Sequence, residues 1–96
     1  MSEKDAYKKK LEAEIELAQV KLAQLKAHAK NAAADARIKY EQILDNLEQK
    51  LDATKTKLRE LGSSSEEAWG SLKTGVETAW GDFRTGLDSA MAKLKR

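Results

Sequence analysis

The segment Leu61-Gly62-Ser63-Ser64-Ser65-Glu66-Glu67 (LGSSSEE) decides the fold, because it contains the only cluster of turn-forming residues in the chain. Gly62 is suited to the left-handed conformation that ends many helices. Ser63 and Ser64 each precede a glutamate by three residues, the capping-box spacing at which a hydroxyl accepts a bond from a free backbone N–H. The segment therefore predicts one domain with a helix over residues 1–61, a Gly-Ser turn over 62–65 and a second helix over 66–96.

The composition of the chain agrees with long helices. It has 96 residues, no proline and no cysteine, and 35% of its residues are charged. The lack of proline removes the strongest helix breaker, and the lack of cysteine excludes disulfides, thiolate metal sites and thiol nucleophiles. A formal charge of +2 is too small to indicate nucleic acid as a partner.

The first segment has the apolar spacing of a coiled coil. Large and small apolar residues recur at alternating steps of four and three at Leu11, Ile15, Ala18, Leu22, Leu25 and Ala29. This is the heptad seam of a left-handed coiled coil. Further along, the spacing changes to 11, as in Leu22, Ala33 and Leu44, which relaxes the supercoil. We expect one long helix, with Ser2 as its N-terminal cap.

The second segment is a tandem repeat of 11 residues. The stretch from Trp69 to Ala79 recurs as the stretch from Trp80 to Ala90. The large apolar groups then form one stripe on a helix, namely Trp69, Leu72, Val76, Trp80, Phe83, Leu87, Met91 and Leu94. Four glycines interrupt it, each costing a helix about 1 kcal/mol relative to alanine, so we expect this helix to require a surface to pack on.

The predicted helix lengths imply association. At 1.5 Å per residue the first helix is about 90 Å long and the second about 45 Å. Folding back in an antiparallel hairpin therefore covers only residues 32–61 and leaves the stripe from Leu11 to Ala29 bare. The sequence thus predicts an all-α, homo-oligomeric helical hairpin, with that stripe as the oligomer interface and the stripe of the second helix in hairpin packing or facing lipid.

No pattern of residues indicates catalysis or ligand binding. His28 is the only histidine, and no cluster at metal-ligand spacing accompanies it. The carboxylates alternate with lysines, as they do on solvated helix surfaces. We expect no enzyme activity, no catalytic residues, no cofactor and no metal.

The pattern Ala68-Trp69, Leu72-Lys73-x-Gly75 and Glu77-x-Ala79-Trp80, after a Lys/Glu/Ala-rich helix, resembles a group of small bacterial coiled-coil domain-containing proteins. The 11-residue period is also similar to that of exchangeable apolipoproteins and synuclein-type lipid binders.

Two functions are therefore expected. The first is a structural or scaffolding protein that self-associates or joins another protein. The alternative is a peripheral binder of lipid surfaces that acts through the Trp-containing helix. Neither a secretory signal nor a transmembrane segment is evident, so we expect a cytoplasmic or membrane-peripheral location.

Overall fold

Three helices make up the fold. The computed structural model describes residues 2–94, which form α1 (Glu3–Lys30), α2 (Ala34–Gly62) and α3 (Trp69–Leu94), without any strand in that range. They lie side by side in a bundle of 51 × 18 × 17 Å. The end of α1 lies beside the middle of α2 (Lys26 with Glu48) and its start beside the end of α2 (Lys8 with Gly62), so these helices are antiparallel. The contacts of Gly75 with Lys57 and of Gly86 with Leu47 show the same for α2 and α3. The predicted all-α class is confirmed.

The prediction of a single helix over residues 1–61 is wrong, because the chain turns at residues 31–33. Asn31 has φ −92° and ψ 0°, and its backbone N–H donates to the carbonyl of His28 at 3.2 Å. Its side-chain amide also donates to the carbonyl of Ala27 at 3.3 Å. Ala33 is extended, with φ −59° and ψ 152°. The helix therefore ends at Lys30 and a new one begins at Ala34.

Burial explains why the chain turns there. The seam between Leu25 and Ile38 contains only alanines, each of which buries less apolar area than a leucine does. Folding back at that point lets the leucines of α1 pack on those of α2. Each buried leucine stabilises the folded chain by about 2 kcal/mol. Each of the few helical hydrogen bonds lost at the turn contributes about 1 kcal/mol to stability, so the burial of several leucines outweighs their loss.

The stripe predicted as an oligomer interface lies inside the bundle. All six of its residues are buried by the chain itself: Leu11, Ile15, Ala18, Leu22, Leu25 and Ala29. They share one core with the buried side chains of α2 and α3. The prediction that this stripe has no cover within the chain is therefore wrong, because it treated α1 and α2 as one helix, so that α2 could not fold back over α1.

The turn between α2 and α3 differs in detail from the prediction. Gly62 is still helical, and no glycine among residues 2–94 has a positive φ, so the left-handed cap is not formed. The helix begins at Trp69 rather than at residue 66. The hydroxyl of Ser65, not those of Ser63 and Ser64, accepts a bond from a backbone N–H, that of Ala68 at 3.2 Å. Residues 95 and 96 of the predicted helix lie outside the described residues.

The caps and contacts of the outer helices agree better with the sequence. Ser2 caps α1, since its hydroxyl accepts from the N–H of Asp5 at 3.2 Å. On α3 the predicted stripe divides by depth. Its buried members are Val76, Phe83, Leu87 and Leu94, its half-buried members are Trp69, Trp80 and Met91, and only Leu72 is exposed. The antiparallel packing expected for the C-terminal helix is thus seen between α3 and α2.

Candidate interaction surface

A shallow groove runs between α1 and α3, the two helices that pack least closely against each other. It has a volume of about 200 Å³. Ala18 of α1 and Leu87 of α3, both buried, form its floor, and Trp80 forms one wall. The groove exists because α2 contacts both neighbours along its length, whereas α1 and α3 meet over fewer residues.

Exposed aliphatic side chains lie at the groove and beside it on α1. Leu17, which lines the groove, is 68% exposed, and Val20, one turn further along, is 57% exposed. Residues three apart share a face of a helix, so these two form one small apolar patch. Large apolar groups clustered on a surface mark places where partners bind more often than scattered single residues do.

Leu17 and Val20 are not among the positions predicted to pack or to bind a partner. Both fall outside the heptad seam, from which those positions were predicted. The sequence does indicate that these two side chains are exposed, because an aliphatic residue away from the seam of an otherwise Lys/Glu-rich helix has no core to enter. Ile38, 62% exposed on α2, is a third such residue, but it lies apart from the groove.

Charged groups of both signs border the groove. Glu14 and Lys21 lie on the α1 side, and Arg84 and Asp88 lie on the α3 side. Each helix therefore supplies one acid and one base, and the border has no net charge. Such a border favours a partner with charges of both signs over a polyanion.

Trp80 lines the α3 side of the groove. Its ring stacks on that of Phe83, with centroids 5.5 Å apart and an angle of 23° between planes. Its indole Nε1 is buried and has no hydrogen-bond partner among the described residues. A buried donor without a partner costs about 1–3 kcal/mol, so the apolar burial of the ring has to outweigh this cost.

A second cluster joins the start of α1 to the start of α3. The rings of Tyr7 and Trp69 have centroids 6.1 Å apart, and the Nζ atom of Lys73 lies 5.0 Å from the centre of the Tyr7 ring. Burial raises the pKa of the Tyr7 phenol, and the carboxylates of Glu77 and Glu14 raise this pKa further. No role was predicted for Tyr7, although this residue lies four residues before Leu11 on the same seam.

The remaining features of the surface carry no assigned chemistry. Within residues 2–94, no group of three or more His, Asp or Glu side chains is placed to hold a metal ion. His28 is exposed in the last turn of α1. No described helix combines the length and the apolar character needed to cross a lipid bilayer.

The chain matches no protein-family model, no curated protein and no solved structure. Its resemblance to small bacterial coiled-coil proteins therefore stays a prediction.

Proposed function

We propose that this protein is a non-enzymatic structural or scaffolding protein that self-associates through the groove between α1 and α3. The observation that carries the proposal is the exposure of Leu17 and Val20 beside this groove. Covering them gains apolar burial at about 25 cal/mol per Å², and the partly exposed ring of Trp80 adds to the same surface. The interface predicted from the sequence thus moves from the buried seam to an outer face of α1.

The charges at the groove favour a second copy as the partner. In a two-fold dimer with antiparallel α1 helices, Glu14 of each copy faces Lys21 of the other. The same operation brings Arg84 of each copy towards Asp88 of the other. Exposed ion pairs contribute only about 0–1 kcal/mol each, so they orient the two copies while the apolar contact supplies the affinity.

Light scattering coupled to size exclusion tests the proposal on the full chain. We expect the wild type to form a dimer or a larger assembly as its concentration rises, and Leu17→Ser with Val20→Ser to shift it to monomer without loss of helicity. Ile38→Ser is the matched control, because it removes an equally exposed aliphatic group outside the groove. A monomeric wild type at every concentration contradicts self-association, and an assembly that persists in the double variant contradicts this face.

Lipid binding is the second candidate. The apolar stripe of α3 lies next to the loosest helix contact of the bundle, so displacement of α1 exposes Trp80, Phe83 and Leu87 together. These side chains suit the boundary between lipid headgroups and acyl chains. The test is Trp fluorescence of the free protein and of the protein with anionic vesicles. Lipid binding requires a large blue shift on vesicle addition that Trp80→Ala abolishes, and a spectrum that vesicles leave unchanged contradicts it.

A cytoplasmic location accompanies the first candidate function, and a membrane-peripheral location accompanies the second.

A further inference from the structure

The turn between α1 and α2 contains a single residue that favours turns, Asn31. It consists of Asn31, Ala32 and Ala33, without glycine or proline. Ala33 occupies the N-cap position of α2, where no side chain makes a capping bond. Alanine is a poor N-cap but the best residue for a helix interior. These three residues can therefore be accommodated in a continuous helix.

The apolar seam stays on one face of the helix through this turn, although its spacing changes there from seven to 11 residues. If α1 continued into α2, its apolar positions would follow in steps of three and four as Leu25, Ala29, Ala33, Ala36, Tyr40, Leu44 and Leu47. A straight helix over both segments would then carry all its core leucines on one face. In the bundle, the seam residues from the turn into the start of α2 are not fully covered: Ala33 is exposed, and Ala36 and Tyr40 are half-buried.

We propose that the chain also forms a dimer by exchange of α1. In this dimer residues 31–33 are helical, α1 and α2 form one long helix, and α1 of each copy packs on α2 and α3 of the other. Every contact that α1 makes with α2 and α3 in the bundle forms again between copies, including the pairing of Lys26 with Glu48. Two things are gained at the straightened turn, namely helical hydrogen bonds and the burial of Ala33 and Ala36 against a second copy.

The occupant of the α1 site is therefore a second copy of this chain, because only the same sequence reproduces the same contacts. Since the core contacts are equal in number in both forms, the balance between them depends on the turn and on protein concentration. This exchange differs from association through the groove, because it needs residues 31–33 to become helical and leaves Leu17 and Val20 exposed. The two modes can therefore be separated by variants.

Cross-linking distinguishes the exchanged dimer from the bundle. The chain has no cysteine, so Lys26→Cys with Glu48→Cys introduces the only two thiols, on facing positions of α1 and α2. This variant is unfolded by heat, cooled slowly at micromolar or millimolar concentration, and treated with a short bis-maleimide. Denaturing electrophoresis then shows whether the two thiols were joined within one chain or between two chains. We expect links within one chain after dilute cooling and links between two chains after concentrated cooling.

Ala34→Pro is the decisive variant. Proline is tolerated at the first position of a helix, and Ala33 already has the extended conformation that precedes proline, so the bundle accepts the change. A continuous helix does not accept it, and we expect the fraction of links between chains to fall about tenfold or more. Glu3→Pro, at the first position of α1, is the matched control and should behave as the unmodified pair does.

Several outcomes overturn the exchange. One is a link confined to single chains after cooling at millimolar concentration. Another is an Ala34→Pro variant that still links two chains as often as the control. Adding Leu17→Ser and Val20→Ser to the cysteine pair separates this proposal from the first. Links between chains that survive those changes support exchange, and their loss assigns them to the groove.

Discussion

Gly86 of α3 lies directly against Leu47 of α2, and a Cβ atom added to this glycine would come within 2.7 Å of the leucine Cδ2 atom. Leu47 is 2% exposed, so its side chain packs among core residues and has to shift to admit the added atom. The repeat places Gly81 five residues earlier, on the outside of α3, where an added Cβ would meet no atom within 4 Å. Two glycines of one repeat thus have opposite roles in packing.

Alanine substitution should separate these two glycines. Gly81→Ala should raise the free energy of unfolding by about 1 kcal/mol, because alanine favours the helix and nothing obstructs it. Gly86→Ala should lower it by about 1 kcal/mol, because the overpacking against Leu47 exceeds the same helical gain. Chemical denaturation of the two variants measures both values. An equal gain in the two variants would contradict the close packing of α3 on α2.

A better N-cap at residue 33 should stabilise the bundle. Ala33→Ser supplies a hydroxyl that can accept from a free N–H of α2, which is worth about 1 kcal/mol. In an uninterrupted helix the same change would be unfavourable by a few tenths of a kcal/mol, because serine is a weaker helix former than alanine. In dilute protein, an increase in the free energy of unfolding therefore indicates a turn at residue 33, and a decrease indicates a continuous helix. Ala23→Ser, in the interior of α1, is the control and should be slightly destabilising.

Leu25 should be required for folding of the single chain. It is 1% exposed in the core, whereas Leu17 on the same helix is 68% exposed. Leu25→Ala should lower the free energy of unfolding by about 2–5 kcal/mol, and Leu17→Ala should change it by less than about 0.5 kcal/mol in the monomer. Thermal unfolding at several protein concentrations measures the loss of stability in each variant and its dependence on concentration. A loss in Leu25→Ala that disappears on dilution would instead indicate an interface between copies.

Tyr7 should make the bundle sensitive to alkali. Burial, followed by the charges of Glu77 and Glu14, raises its pKa above the ordinary value of 10.0. The neutral phenol is therefore favoured by folding, and its contribution is complete below the unfolded pKa and is lost as the pH rises through the raised folded pKa. Tyr7→Phe should reduce the fall in stability above pH 10.0. Urea denaturation of both proteins across that range measures it. Parallel pH profiles would contradict the prediction.

Local features of the chain could be predicted from its sequence. The helical class follows from the absence of proline and from apolar spacing, and the cap at Ser2 follows from its position before Asp5. The depth of Phe83 and Leu87 follows from the same periodicity, because a helix places residues three and four apart on one face. Each of these features depends on residues within about one helical turn of one another, and such residues are close together in the sequence.

The turn at Asn31 and the groove beside Leu17 were decided only by tertiary structure. Asparagine and alanine are both tolerated inside a helix, so residues 31–33 do not by themselves require a break. The break forms because it lets leucines far apart in the chain bury one another. The stability gained from this burial cannot be predicted from local sequence patterns. The same folding back brings Leu17 beside Trp80. Sequence determined which faces were apolar, and packing between distant segments determined which of them were covered.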